Sequence, residues 1–142
     1  MSEEMHIHGC WLLRSYELQQ ADGSVVYPMG QEPEGLLLYS PAGHMSVHLL
    51  QPGAAPPTAE QLPPGLPAEL ALSYACYTSY FGRYHVDTAE RMVTHQLCGA
   101  SVLAWAGSEF PRYYALEGDQ LTLSAAVNEQ GSRAVLVWQR ES

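Results

Sequence analysis

Apolar and polar side chains alternate along most of the chain, as they do in strands that bury one face. The first alternating segment covers residues 9–18 and contains Trp11, and the last covers residues 134–140 and contains Trp138. Because a period of two places every second residue on the same face, Trp11 is expected to point inward and fill one end of a barrel. The two segments could pair with each other and close the sheet.

Short turn signals separate these segments. Residues 21–24, 41–43 and 117–119 combine glycine with aspartate, proline or glutamate, and such residues favour tight connections between strands. Strands that follow one another through short turns form a meander, and closure of the meander removes its exposed edges. The pattern predicts an all-β fold, an up-and-down antiparallel β-barrel of about eight to ten strands.

One stretch breaks the alternation. Residues 51–67 hold most of the prolines, and we interpret residues 51–66 as a long Pro-rich loop near the barrel mouth. One short helix is predicted from Pro67, because proline suits a first helical turn. Leu70, Tyr74 and Tyr77 follow at helical spacing.

Since the chain is too short for two good cores, one domain over residues 1–142 is predicted.

The composition of the chain limits the classes of partner that it can bind. Hydrophobic residues make up 46% of the chain and charged residues 15%, which is typical of a globular protein. Fifteen acidic and six basic side chains give a net charge of -9, which argues against nucleic acid and anionic membranes as partners. Residues 1–6 are unlike a secretory signal. The three cysteines are widely spaced, so free thiols in a cytoplasmic protein are expected.

Alternation also assigns side chains to the barrel lumen. With Trp11 inside, Leu13, Ser15 and Glu17 follow it on the first strand, while Leu12 and Tyr16 point outward. The residues expected to contact a ligand are Glu17, Leu37, Tyr39, Tyr84, Val93, His95, Leu97, Arg112, Tyr114 and Trp138. This lining is mostly apolar with a few polar groups, so it suits a small apolar or carbonyl-bearing ligand.

Three of these side chains could carry chemistry: His95, Tyr84 and Arg112. A buried guanidinium must be paired, either with an internal group such as Glu17 or with an anionic or carbonyl-bearing ligand. Arg112 could instead lie at a strand end and reach water. His95 could be a hydrogen-bonded core residue or an acid and base.

No motif indicates a metal or a cofactor, and none is expected. His6 and His8 lie near the terminus without a third ligand, and His44 and His48 lie four residues apart on a predicted strand, where they do not converge. The chain has no nucleophile motif and no glycine-rich phosphate loop.

Taken together, several sequence segments resemble those of the lipocalin-like domain family, the small bacterial and fungal barrels of the calycin type. They are residues 9–11 with Ser15 and Glu17, then 21–24, 27–28, 35–39, 41–47, 80–87, 93–95, 105–107, 112–123 and 136–138. The resemblance implies the barrel fold, and it implies that Arg140 stacks on Trp11 at the closed end. Members resemble ligand-binding barrels, or accessory domains and enzymes near natural-product pathways. The resemblance implies a second histidine where Gln96 stands and an acidic or polar residue where Leu97 stands. If that histidine pair carries chemistry in the family, this chain has lost part of it or uses a different ligand.

Three functions remain open. The first, which we prefer, is an intracellular barrel that binds a small, largely apolar metabolite in its lumen. The second is a cofactor-free isomerase, cyclase or dehydratase, with His95 as acid and base and with Tyr84 and Arg112 stabilising charge on a carbonyl oxygen. The third is a structural or interaction protein, such as a homodimer formed through Leu12 and Tyr16. No residue pattern requires catalysis, and fold alone does not supply it.

Overall fold

A computed structural model of the chain describes residues 6–53 and 76–141. In these two ranges the alternating segments form nine β-strands, and a 3-10 helix, Leu103–Trp105, follows the sixth strand. The strands are β1 (Gly9–Gln19), β2 (Val25–Val26), β3 (Glu34–Tyr39), β4 (His44–Leu50), β5 (Tyr77–Asp87), β6 (Met92–Ala100), β7 (Glu109–Glu117), β8 (Gln120–Ser124) and β9 (Arg133–Arg140).

The sheet closes on itself through β1 and β9. These strands are antiparallel and pair from Trp11 opposite Arg140 to Gln19 opposite Arg133. On its other edge, β1 pairs with β3 near its start and with β2 near its end. The remaining strands pair in chain order from β3 to β9. The result is a closed eight-stranded antiparallel barrel with β2 as an extra strand, so the predicted all-β up-and-down barrel is confirmed.

Trp11 and Arg140 close one end of the barrel. The Trp11 ring is fully buried, and its Nε1 donates a hydrogen bond of 2.9 Å to the carbonyl of Ile7. The guanidinium carbon of Arg140 lies 4.2 Å from the centroid of the Trp11 ring. Arg140 Nη1 donates to the carbonyl of His8 at 2.9 Å. The stacking that the resemblance implied is therefore present, and it identifies the closed end.

A β-bulge interrupts β1 between its two halves. Leu13 is opposite Trp138, but the next paired residue is Ser15, opposite Val137. Arg14 is therefore an extra residue in β1. Because strand side chains alternate, one extra residue moves every later side chain of the strand to the other face.

The bulge corrects two expectations about the second half of β1. Tyr16 is paired with Leu136, and both side chains line the lumen. Glu17 follows on the opposite face, because it is paired with Val135. The expectation that Glu17 faces the lumen is wrong, and so is the expectation that Tyr16 points outward.

The described residues stop and resume at the end of the barrel opposite Trp11. Most of the predicted loop over residues 51–66, and the predicted helix from Pro67 to residue 75, lie outside the described residues. Gln51 N donates to the carbonyl of Cys76 at 2.9 Å. Tyr77, which was predicted to lie on the helix, begins β5 instead. Over the described ranges, no helix has the length and apolar character that a membrane crossing would require.

Candidate functional site

The barrel encloses a cavity of about 180 Å³ towards the end away from Trp11. Its walls are formed by residues of β1 and of β3 to β9, together with residues of the connections that follow β2 and β6. The lining residues are Tyr16, Pro28, Met29, Leu37, Val47, Leu49, Thr78, Tyr80, His95, Trp105, Phe110, Arg112, Leu123, Ala134, Leu136 and Trp138. Apolar and aromatic side chains predominate among them, and the polar groups are few.

His95 is the buried polar centre of this wall. It points inward from β6 because Val93 and Leu97 on the same face are buried in the core. Its Nε2 is 2.5 Å from the Tyr39 hydroxyl, and its Nδ1 is 2.7 Å from the Tyr80 hydroxyl. Both ring nitrogens are thus engaged by phenol groups, one on β3 and one on β5.

These three side chains are neutral at pH 7. Burial, and to a smaller extent the positive charge of Arg112, lowers the pKa of His95 to about 3. Burial raises the pKa of Tyr80 to about 12. It raises the pKa of Tyr39 well above its usual value. Removal of charged groups from water disfavours their ionised forms, so the chain Tyr39–His95–Tyr80 is an uncharged hydrogen-bond network.

Arg112 supplies the positive charge of the cavity. It points into the lumen from β7, with its guanidinium carbon 5.1 Å from the centroid of the Phe110 ring. Its Nη1 donates to the carbonyl of Pro111 at 2.8 Å. Within the described ranges no carboxylate forms an ion pair with Arg112, and Glu17, the expected internal partner, faces the other way. Burial raises the pKa of Tyr16 and Tyr80, and the charge of Arg112 offsets part of that rise.

Trp138 contributes a buried donor. Its side chain is 1% exposed, and no described residue accepts a hydrogen bond from its Nε1. The indole N–H can only donate. A buried donor without a partner is costly, and Trp138 lines the cavity.

The predicted site residues divide into two groups. Leu37, His95, Arg112 and Trp138 line the cavity. Tyr39 does not line it, but its hydroxyl is hydrogen-bonded to His95. The other five residues do not line it: Glu17, Tyr84, Val93, Leu97 and Tyr114.

Tyr84 illustrates why that second group is separate. It faces inward as predicted, but it lies nearer the closed end. Its hydroxyl donates to the carbonyl of Ser40 at 2.7 Å, and its ring packs against that of Tyr39 with centroids 4.6 Å apart. Alternation gives the face of a strand but not the height along the barrel axis, so the expected grouping of Tyr84 with Arg112 is wrong.

Sequence reasoning missed several lining residues, of which Tyr80 is the most important. Tyr80 has the same parity on β5 as Gly82 and Tyr84, so alternation could have found it. Phe110 could have been found in the same way, because it shares its face with Arg112. Tyr16 was hidden by the bulge. Met29 lies in the connection after β2 and Trp105 in the 3-10 helix, and a period of two gives no signal for either.

Comparison with known proteins agrees with this architecture. The model of the lipocalin-like domain family matches residues 8–141, and the chain belongs to this family. No curated protein matches the chain.

Two solved structures are similar at low sequence identity. A de novo designed fluorescence-activating β-barrel is 10% identical with a TM-score of 0.49, and the alignment covers 99% of this chain and 100% of that one. A mutant of the fluorescent protein UnaG is 12% identical with a TM-score of 0.45, over 98% of this chain and 99% of that chain.

Proposed function

We propose that this barrel binds a small, largely apolar molecule in its lumenal cavity. The observation that carries the proposal is a preformed cavity with a mostly apolar lining and a few converging polar groups, the usual composition of small-molecule sites. An apolar cavity of about 150 Å³ is large enough to bind benzene. The cavity of about 180 Å³ therefore suits a ligand built on about one ring.

The geometry supports binding more strongly than acid–base catalysis by His95. Both ring nitrogens of His95 already have phenol partners, so neither is directed at a ligand. A general base works best with a pKa near the working pH, whereas the pKa of His95 is lowered to about 3. The hydroxyl of Tyr84, which was expected to stabilise charge on a carbonyl oxygen, donates a hydrogen bond to the carbonyl of Ser40 away from the cavity.

Toluene is a suitable probe for the proposal, because it is apolar and contains one ring. We expect saturation-transfer NMR to show toluene bound to the purified protein. Ala134→Phe should abolish that signal, because Ala134 lines the cavity and a phenyl ring there would occupy the space of the ligand.

Ala115→Phe is the matched control. Ala115 is exposed on β7 between two inward residues, so the added ring points to solvent and toluene binding should persist. Circular dichroism would establish that both variants are folded. Absence of toluene binding to the wild-type protein, or equal binding to both variants, would refute a lumenal site.

A further inference from the structure

The hydrogen bonds around His95 leave one proton to spare. Neutral imidazole carries one N–H and one lone pair, so it donates one hydrogen bond and accepts one. The two hydroxyls at His95, on Tyr39 and Tyr80, cannot both donate to the ring. One of them donates, and the other accepts from the ring and keeps its own proton for a third group.

Burial indicates which hydroxyl keeps its proton. Tyr39 is 1% exposed and does not line the cavity, and among the described residues His95 is the hydrogen-bond partner of its hydroxyl. A spare proton on Tyr39 would therefore be buried without an acceptor, which is unfavourable. Tyr80 lines the cavity. The favoured arrangement has Tyr39 donating to Nε2, Nδ1–H donating to Tyr80, and the Tyr80 O–H directed at the cavity.

Two further groups of the lining, the Trp138 indole and the Arg112 guanidinium, can donate hydrogen bonds but cannot accept them. The indole N–H of Trp138 is buried and has no acceptor among the described residues. The guanidinium of Arg112 keeps N–H groups beyond its bond to Pro111 and, within the described ranges, has no carboxylate partner. Thr78 and Tyr16 carry hydroxyls that can donate or accept. Among the described residues, the lining of the cavity thus has a surplus of donors and one positive charge.

We infer that the cavity selects a compact apolar carboxylate, about one ring in size, whose oxygens accept from Arg112 and Tyr80. The inference rests on the proposed function, because it presupposes that ligands enter the lumen. A carboxylate offers lone pairs and no donor, and it matches the planar fork of a guanidinium. It would also neutralise a charge that the described residues leave unpaired. Tyr39 is then a positioning residue, because it holds His95 in the tautomer that makes Tyr80 a donor.

Three probes of similar shape separate these effects: toluene, nitrobenzene and benzoate. Nitrobenzene is a neutral isostere of benzoate with two acceptor oxygens, and toluene has no acceptor. Binding is measured by calorimetry at pH 7 in roughly 0.15 M salt. At this ionic strength the electrostatic field of the acidic protein is screened beyond about 8 Å. We expect benzoate to bind roughly tenfold or more tightly than nitrobenzene. This wild-type ratio decides the inference without any variant.

Variants assign the effect to residues. Arg112→Gln should weaken benzoate binding roughly tenfold or more and leave toluene unchanged. Arg133→Gln also removes one positive charge, but from an exposed position on β9. It should change neither benzoate binding nor toluene binding. Tyr80→Phe should weaken benzoate and nitrobenzene but not toluene, whereas Tyr113→Phe, on an exposed tyrosine, should have no effect.

Tyr39→Phe tests the positioning role. In the wild-type protein, donation from Tyr80 should make nitrobenzene bind more tightly than toluene. Tyr39→Phe should reduce this difference in affinity, because His95 is then no longer held as a donor to Tyr80. A merely structural role of Tyr39 would weaken all three probes alike.

The outcomes for the two proposals differ. If toluene binds and benzoate binds no better than nitrobenzene, the carboxylate inference fails while the lumenal site stands. If toluene does not bind, the proposed function fails, and the carboxylate inference that rests on it fails with it.

Discussion

The guanidinium carbon of Arg140 lies 4.2 Å from the centroid of the Trp11 ring, and this contact joins the last strand to the first. Arg140 also donates to the carbonyl of His8 and is bonded to that of His6, so one side chain holds the N-terminal segment against the end of the barrel. The cavity lies at the opposite end. The contact is therefore structural, and its loss should affect stability without reaching the lining.

Arg140→Ala should lower the free energy of unfolding by about 2 kcal/mol. A cation–π contact that is partly shielded from water contributes about 1 kcal/mol, and hydrogen bonds from a charged donor contribute roughly as much again. Urea denaturation measures the change. Arg133→Ala, at an exposed position of the same strand, should stay within about 0.5 kcal/mol of wild type; equal losses in both variants would contradict the assignment.

Acid should destabilise the protein through His95. The folded-state pKa is lowered from 6.5 to about 3, so between these values the unfolded chain binds a proton that the folded chain does not. Stability is then lost as the pH falls below 6.5, by about 1.4 kcal/mol per pH unit for one proton. Urea denaturation at pH 6 and pH 5 measures the free energy of unfolding at each pH. Its decrease should contain this contribution from His95 in addition to that of the carboxylates.

His95→Gln isolates the contribution of His95, because glutamine can still donate and accept but does not titrate. We expect the slope between pH 6 and pH 5 to fall by about 1.4 kcal/mol per unit. His85→Gln, on the exposed face of β5, should retain the wild-type slope. An unchanged slope in His95→Gln would mean that His95 is protonated in the folded protein.

Gly82 and Gly99 lie on adjacent strands but differ in what a methyl group would meet. A Cβ at Gly82 would lie 1.9 Å from the backbone oxygen of Gln96, and one at Gly99 would lie 2.7 Å from the ring of Phe81. Backbone cannot yield, whereas Phe81 is 57% exposed and can rotate. Thermal unfolding should show a loss of about 3 kcal/mol or more for Gly82→Ala, and about 1 kcal/mol or less for Gly99→Ala.

The barrel and most inward faces could be predicted from the sequence. A period of two is a local property that does not depend on tertiary contacts, so Leu37, His95, Arg112 and Trp138 were placed inside correctly. The prediction failed at Glu17, since the extra residue Arg14 reverses the alternation and no residue type there marks a bulge.

The height of each residue along the barrel axis could not be predicted. It depends on strand stagger, which is set by pairings such as Tyr84 opposite His95 and by a shift in the register of β5 and β6 between Phe81 and Gly82. Tyr84 and Tyr80 are both inward on β5, yet only Tyr80 lines the cavity. The hydrogen-bond network also needed three dimensions, because Tyr39, Tyr80 and His95 come from three strands.

A crystal structure of the protein soaked with iodobenzene would test the central claim most directly, because the anomalous signal of iodine locates the ring without ambiguity. A lumenal site predicts one strong peak among Leu37, Leu136 and Trp138. A peak confined to the outer groove formed by Leu12, Leu36 and Leu50, with none in the lumen, would contradict it.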